Sequence, residues 1–518
     1  MKLYYDRKSK DPTYFIQHGI RNGTKTTTKN VKRIGKHSEL LRITEDPLAY
    51  AKEQVALYNE EYKNGKVTFS LPVDFSEKLS PSDHVAARDE SLNVGYFILQ
   101  KIYEDLAVPS FFRSIRPSYK VTFDCNDINR FLTFARILDP RSKLGTFDRL
   151  ETYYEQPTFQ YQHILRFMDV LADNYDSYLE HLFVNSSKIF PRNTSVCYFD
   201  CTNFYFETET EDEDVMDEVT GEILKGFRKY GPSKEHRPNP LIQMGLFMDS
   251  NGIPISMCLN SGSDNEQLCA VPLEKKITKM FQGKPFIYCA DAGLGSLNIR
   301  KFNSMGGRAF IVTQSIKKLS DTLKQSVFND YDYRLLSDNS SFSVADMKTF
   351  NRFDDANKSL YNDLVYKIID ADNLVDLGLY EEQVLKNGKT RKVKAKGILK
   401  QHLIITFSRK MMEYQRTVRN RQIERAKKIL EHGKVEDVKK GPHDVTRFIT
   451  RISATKEGKM AIDHYMLDRS VIDEEEKYDG YYALATNLED DAKEILAINS
   501  QRYKIEDCFR IMKSYFDY

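Results

Sequence analysis

No run of apolar residues in this 518-residue chain approaches the roughly 20 that a membrane-spanning helix needs, so no membrane partner is expected. The N-terminus, MKLYYDRKSKDPTYF, carries charge but no apolar stretch of signal-peptide type. The seven cysteines are scattered without a Cys-x-x-Cys pair, which argues against a disulfide framework or a thiolate metal site and for a reducing, cytoplasmic setting. Tryptophan is absent altogether, and there is neither an internal repeat of fixed period nor a low-complexity tract beyond one acidic run. What remains is a hydrophobic content of 41% and a charged content of 29%, the balance of a globular protein. The length implies about two to four domains.

The net charge of +2 hides strong unevenness. Residues 1–40 carry ten bases against three acids, whereas ETETEDEDVMDE at 207–218 is almost wholly acidic. In TYFIQHGIRNGTKTTTKNVKRIG, two β-prone runs flank Asn22-Gly23, a tight-hairpin signal, so the chain opens on a basic ribbon. Such a ribbon can lie along phosphates, or it can be a solvated edge whose lysines discourage strand pairing. Asp46-Pro47 then predicts a helix through about Lys63. Together these define a unit at 1–68, followed by a polar linker at 69–94.

Apolar residues recurring at three and four predict a helical domain over 95–190. From Thr194 the pattern changes to short β runs, SVCYFDCTNFYFE, NPLIQMGLFMD and IPISMCLNSG, implying a meander. A helix, the strand PFIYCADAG, a second helix and the strand GRAFIVTQ follow, so 191–318 reads as a sheet layered with helices. Residues 319–485 form a mixed segment with an Asn387-Gly388 hairpin signal, the strand HLIITF and a basic helix from Ser408 to Gly433. That helix can track a nucleic-acid backbone or simply be solvated. Residues 486–518 close the chain as an amphipathic helix capped near Asn487, with Arg502, Glu506 and Lys513 at helical spacing.

Three carboxylates stand out. Asp200 ends one β run and Asp291 another; strands finishing at the same sheet edge bring such side chains together, and Glu506 on a helix crossing that edge adds a third. Hard oxygen donors of this kind suit Mg²⁺ or Mn²⁺, and two such ions can drive in-line phosphoryl transfer. Taken singly, each aspartate is equally a turn former and the glutamate a surface ion pair.

DAGLGSLNIRKF after a hydrophobic strand, with Arg502, Glu506 and Lys513 in R-x3-E-x6-K order, resembles insertion-sequence transposases of the Asp-Asp-Glu class, in the group with a Tyr-Arg-Glu-Lys signature. YFDCTNFYFE, YGPSKEHRPNPLIQMGLFMDSNGIPI and DGYYALATNL support the likeness. It implies an α/β fold with a ribonuclease-H-like catalytic core. A β-rich insertion at 319–485 would split that core, and the N-terminal β-hairpin and helix, a DNA-binding unit, and the helical domain would precede it. It further implies that Asp200, Asp291 and Glu506 hold two Mg²⁺ or Mn²⁺ ions, with Glu506 late in the chain because the insertion postpones the last core helix. Expected DNA-binding residues are Arg502, Lys513 and Arg510, the loop residues Lys234, His236 and Arg237, and Lys25, Lys29, Lys32 and Arg33 of the ribbon.

The implied activity is cleavage at transposon ends and strand transfer into target DNA. Partners would be double-stranded DNA, both terminal inverted repeats and target, with a homodimer in the synaptic complex. A nuclease on the same core and a terminal-repeat-binding remnant are the alternatives. Two departures stand against the pattern. Asn499 occupies the signature tyrosine's position, and no tryptophan exists to stack a flipped base. Relatives continue for further turns past the lysine, so a C-terminally truncated chain is expected.

Overall fold

The computed structural model describes residues 1–22, 25–63, 92–217, 220–233, 237–384, 390–432, 441, 444–454 and 462–516. It divides into two compact units, Met1–Leu92 and Asn93–Tyr518.

In the first unit, strands β1 (Lys2–Tyr4), β2 (Thr13–Asn22) and β3 (Lys25–Lys36) form an antiparallel sheet in that order. β2 and β3 pair from Thr13↔Lys36 to Asn22↔Lys25, as the two β-prone runs flanking Asn22-Gly23 predict, with register shifts near the Tyr14 end. Residues 23 and 24 of the turn lie outside the described residues. The helix Pro47–Lys63 starts where the Asp46 carboxylate accepts from the Leu48 and Ala49 N–H groups, each at 3.0 Å. Tyr14, Leu40 and Ala51 make a small core beneath. Most of the expected linker falls outside the described residues.

The second unit begins with helices, among them Tyr96–Asp105, Cys125–Leu138, Tyr161–Asp173 and Tyr175–Ile189. Their apolar stripes bury Tyr96, Phe112, Phe131, Phe134 and Phe167 in one aromatic-rich core.

A large mixed sheet follows. Its strands are β4 (Val196–Tyr205), β7 (Leu241–Asp249), β8 (Pro254–Ser261), β9 (Ile287–Ala290), β10 (Ala309–Thr313), β11 (Arg334–Leu335), β12 (Val365–Asp370), β15 (His402–Phe407) and β18 (Tyr481–Thr486). Two short ribbons, β5 (Val215–Met216) with β6 (Ile223–Leu224) and β13 (Asn373–Val384) with β14 (Thr390–Leu399), stand apart, as does β16 (Ile449–Ala454) with β17 (Ile462–Leu467). The order across the sheet is β11-β12-β15-β18-β10-β9-β4-β7-β8. β9 pairs parallel with β10 on one side and with β4 on the other; the other described pairings of this sheet are antiparallel. The chain is thus a mixed α/β protein. The segment 319–485, expected to stand as an insertion, gives β11, β12, β15 and most of β18 to this same sheet.

Alternation along the strands sends side chains to two faces. Cys197, Phe199, Tyr288 and Phe310 face one core with the helix Gln267–Met280, and Val196, Tyr198, Cys289 and Ile311 face another, covered by the last two helices. The basic helix is observed over Arg409–Glu431, capped by the Ser408 hydroxyl on the Met411 N–H. Its Arg419 is buried and grips Asp479 through two bonds of 2.6 and 2.7 Å, so this base serves the fold and not the solvent face.

Glu274 on the helix Gln267–Met280 is fully buried, with the Asn303 amide donating to it at 3.0 Å and the Arg308 guanidinium 3.8 Å away, beyond hydrogen-bond reach. Burial raises its pKa from 4.5 to about 7. A carboxyl whose folded pKa is raised adds stability below the unfolded value and loses it as pH climbs through the folded one. Between pH 4.5 and 8 the protein should therefore lose up to about 3 kcal/mol through this residue. Urea unfolding at pH 5 and pH 8 should show this loss in the parent and not in Glu274→Gln. An equal pH dependence in both would refute the assignment.

Candidate active site

β4 and β9 run parallel with Val196 opposite Ile287, Cys197 opposite Tyr288 and Tyr198 opposite Cys289. Continuing this register two residues further sets Asp200 opposite Asp291. Both belong to the alternation of Tyr198 and Cys289, so both are on the sheet face that the last helices cover. On the other side β10 pairs with β9 from Ala309↔Ile287 to Val312↔Ala290, and one step more sets Thr313 beside Asp291. Three adjacent strands, about 4.8 Å apart, thereby line up Asp200, Asp291 and Thr313 in one row.

The loop after β9 holds Asp291 in place. Its Oδ1 accepts from the Gly293 N–H at 2.8 Å and the Leu294 N–H at 3.3 Å, capping a short 3₁₀ turn. Leu294 is buried, and its carbonyl accepts from the Tyr288 hydroxyl at 3.1 Å. Gly295 must be small, because a Cβ there would lie 2.9 Å from the Val312 side chain. The D-A-G-L-G run is thus a cap followed by a close backbone approach. Asp291 Oδ2 accepts no hydrogen bond among the described residues. Asp200 is half-buried, and its Oδ1 accepts from the Cys201 N–H at 2.7 Å.

The closing stretch differs from the single helix expected. It is two helices, Ala492–Ser500 and Tyr503–Ser514, with the first capped by Asp491 on the Lys493 N–H at 2.7 Å, four residues later than Asn487. Between them the N–H groups of Gln501, Arg502, Lys504 and Ile505 each bond three residues back, a tightened winding that re-aims the chain. The Ile498 carbonyl at this break also accepts from the Tyr198 hydroxyl at 3.0 Å. Ile505 and Phe509 anchor the last helix in the same core as Val196, Tyr198 and Cys289.

Arg502 therefore starts the last helix, and its Nη1 donates to the Thr313 hydroxyl at 3.4 Å. Lys513, near the other end, stands over the Phe204 ring at 5.6 Å, four residues beyond Asp200 on β4. Glu506 is exposed and lies one turn, about 6 Å, along from Arg502. Among the described residues no three His, Cys, Asp or Glu side chains form a metal-holding group. The register thus pairs Asp200 with Asp291, while Glu506 rides on the covering helix.

Asn499, at the expected tyrosine's position, has its own partner. Its amide donates to the Tyr482 hydroxyl at 3.2 Å, and that hydroxyl is 2.7 Å from Thr313 Oγ1. Thr313 and Tyr482 were not singled out in the sequence; only the flanking strand motifs GRAFIVTQ and DGYYALATNL mark their positions. Of the other expected DNA contacts, Arg237 stacks 4.0 Å over the Tyr205 ring at the end of β4. Lys234 and His236 lie outside the described residues. Arg510 pairs with Asp507 at 3.0 Å. In the first unit Lys29, Lys32 and Arg33 are exposed on β3, and Arg33 binds both Glu39 oxygens at 3.0 and 2.8 Å. β3 begins at Lys25. No helix among the described residues is long and apolar enough to cross a membrane.

No protein-family model matches the chain, and nothing among curated proteins matches it. Among solved structures it is similar to the Mos1 transposase in a paired-end complex with the left transposon end. Identity there is 9%, over 36% of this chain and 57% of that one, with a TM-score of 0.15. It is also similar to the piggyBac transposase in a synaptic complex with hairpin DNA, at 14% identity over 46% of this chain and 48% of that one, with a TM-score of 0.26. A Mos1 mariner paired-end complex with Mn aligns at 10% identity over 52% of this chain and 69% of that one, with a TM-score of 0.15. The chain thus spans little more than half of the first and under half of the second.

Proposed function

We propose that this chain is a DNA transposase of the Asp-Asp-Glu type, cutting at the ends of a mobile element and joining them to target DNA. The observation that carries this reading is the Asp200–Asp291 register on parallel strands, roofed by a helix that begins with Arg502 on Thr313 and ends with Lys513 over Phe204. Two carboxylates a strand apart are hard donors, and the unengaged Oδ2 of Asp291 suits a divalent cation. Asp200 and Asp291 would hold Mg²⁺ or Mn²⁺, and Glu506 would join them as a further donor only on a shift of the covering helix; bound there, the ions would activate the attacking oxygen and stabilise the leaving one.

The chain's own residues do the rest. Arg502 and Lys513 bracket the row and bind the phosphates on either side of the scissile bond, as a guanidinium and a point charge respectively. The Arg237 loop at the end of β4 and the exposed bases Lys29 and Lys32 add backbone contacts that orient double-stranded DNA without reading it. The network from Asn499 through Tyr482 to Thr313 holds Arg502 in position.

A plasmid carrying the DNA that flanks the coding region tests this directly. With Mg²⁺, the protein should nick at the element's borders, and EDTA should stop it. Nicking at random sites, or at the borders without any divalent ion, would contradict the proposal.

A further inference from the structure

A cavity of about 480 Å³ lies past the ends of β9 and β10, where Ala292, Gly295 and Thr313 are among its lining residues. Its volume is that of a small-ligand site. On its wall lies Arg300, from the helix Leu297–Asn303, only 6% exposed. The guanidinium donates from Nε to the Gly295 carbonyl at 2.8 Å, from Nη1 to Gln401 Oε1 at 3.2 Å and from Nη2 to Gln314 Oε1 at 2.7 Å. All three acceptors are neutral. Of its five N–H groups, two remain, and no carboxylate pairs with it among the described residues.

A buried cation without a counter-charge is costly, and burial alone depresses the pKa of Arg300 from 12.5 to about 10. The other buried arginines behave differently. Arg192 is neutralised by Asp249, and Arg419 by Asp479. The one acid on the cavity wall, Asp372, accepts from the Gln401 N–H at 3.1 Å and makes no ion pair with Arg300. An exposed lysine, Lys318, stands at the rim. The cavity is therefore built around an unmatched guanidinium, and one of its lining residues, Thr313, accepts from Arg502.

We propose that this cavity is a subsite for one backbone phosphate of the DNA strand bound at Asp200 and Asp291, with Arg300 as its bidentate donor. The proposal rests on the functional reading above. Phosphate matches the fork geometry of a guanidinium, and the anion would supply the missing counter-charge. Gln314, just after β10, and Gln401, just before β15, hold the fork in orientation from the two strands that flank β18.

The test is binding of a 12-nucleotide single strand to the full chain in Ca²⁺, followed by fluorescence anisotropy over a range of salt, with inorganic phosphate as a second probe. Arg300→Gln should weaken oligonucleotide binding about tenfold. It should also lower the slope of log K against log salt by about 0.7, the value for one phosphate contact on a single strand. Arg300→Lys should retain most of the slope. Thermal melting checks each variant; if Arg300→Gln unfolds, Lys318→Gln at the rim should still lower the slope.

An Arg300→Gln variant that is folded and binds with unchanged affinity and slope overturns the proposal. So does a parent protein that binds inorganic phosphate through Arg300 but shows no Arg300 dependence with DNA, since that marks a free-anion site. Because binding is scored without cleavage, failure here is separable from failure of the functional reading, which shows instead as cleavage indifferent to Asp200 and Asp291.

Discussion

Asp291→Asn is expected to abolish Mg²⁺-dependent cleavage at the element's ends, lowering the rate by on the order of a thousandfold, or about 4 kcal/mol of transition-state stabilisation. The variant is informative because asparagine preserves the structural half of the residue's work. Asp291 Oδ1 caps the turn through the Gly293 and Leu294 N–H groups, and an asparagine carbonyl accepts the same two bonds. What asparagine removes is the negative charge and the second oxygen, the one that no described residue engages. Melting should therefore stay close to the parent while cleavage disappears. A folded Asp291→Asn protein that cuts at the parental rate would show that the row of Asp200, Asp291 and Thr313 is not the reaction centre. A rate loss accompanied by a large drop in melting temperature would instead show that the cap, and not the charge, was the residue's contribution.

The second large effect concerns the fold. Arg192→Met should destabilise the protein by about 3–5 kcal/mol, the cost of leaving one member of a buried ion pair behind. Arg192 and Asp249 have side-chain exposures of 3% and 0%, and the guanidinium Nε bonds the Asp249 carboxylate directly. Its other nitrogens donate to Ser186 Oγ at 2.7 Å and to the Ile253 and Pro254 carbonyls at 3.1 and 2.9 Å. Asp249 in turn accepts the Asn251 and Ile253 N–H groups at 3.0 and 2.9 Å, closing the β7–β8 turn. Removing the guanidinium strands a carboxylate with only two amide partners.

The consequence reaches the site, because the same turn offers the Ser250 carbonyl to Lys504 at 2.9 Å and so tethers the last helix. Urea unfolding measures the loss. Arg192→Met with Asp249→Asn should recover part of it, since neither charge is then left alone. A single variant within 1 kcal/mol of the parent, against the range expected for a buried pair, would contradict this account.

Local signals were legible where one residue acts on its near neighbours. Asp46-Pro47 marked a helix start, Ser408 marked another, and runs of β-branched and aromatic residues located β2, β3, β4, β7 and β8. Asp291 does follow a strand end, but Asp200, expected to end a β run, sits mid-strand because β4 goes on pairing with β7 as far as Tyr205. The shared level of the two depends on a parallel register between strands separated by some ninety residues of chain, which no local pattern specifies. The break at Gln501–Arg502 was hidden for a related reason. The apolar periodicity runs on through it, and the winding tightens where Tyr198, far away in sequence, takes the Ile498 carbonyl.

Arg419 looked like one more base on a solvated face because Asp479, its partner, lies sixty residues further on. Asn499 looked like a defect in a signature. In the fold it binds Tyr482, which joins it to Thr313 and Arg502. Periodicity reports which side of an element is apolar, and it carries no information about which distant polar group meets another.

A joining assay decides whether the paired aspartates transfer DNA strands. Pre-cleaved ends with free 3′-hydroxyls, taken from the DNA flanking the coding region, are incubated with supercoiled target, Mg²⁺ and either the parent protein or Asp200→Asn. Covalently joined product is expected with the parent and none with the variant. Joined product from both proteins, or cutting of the target by the parent with no end ever joined to it, would contradict it.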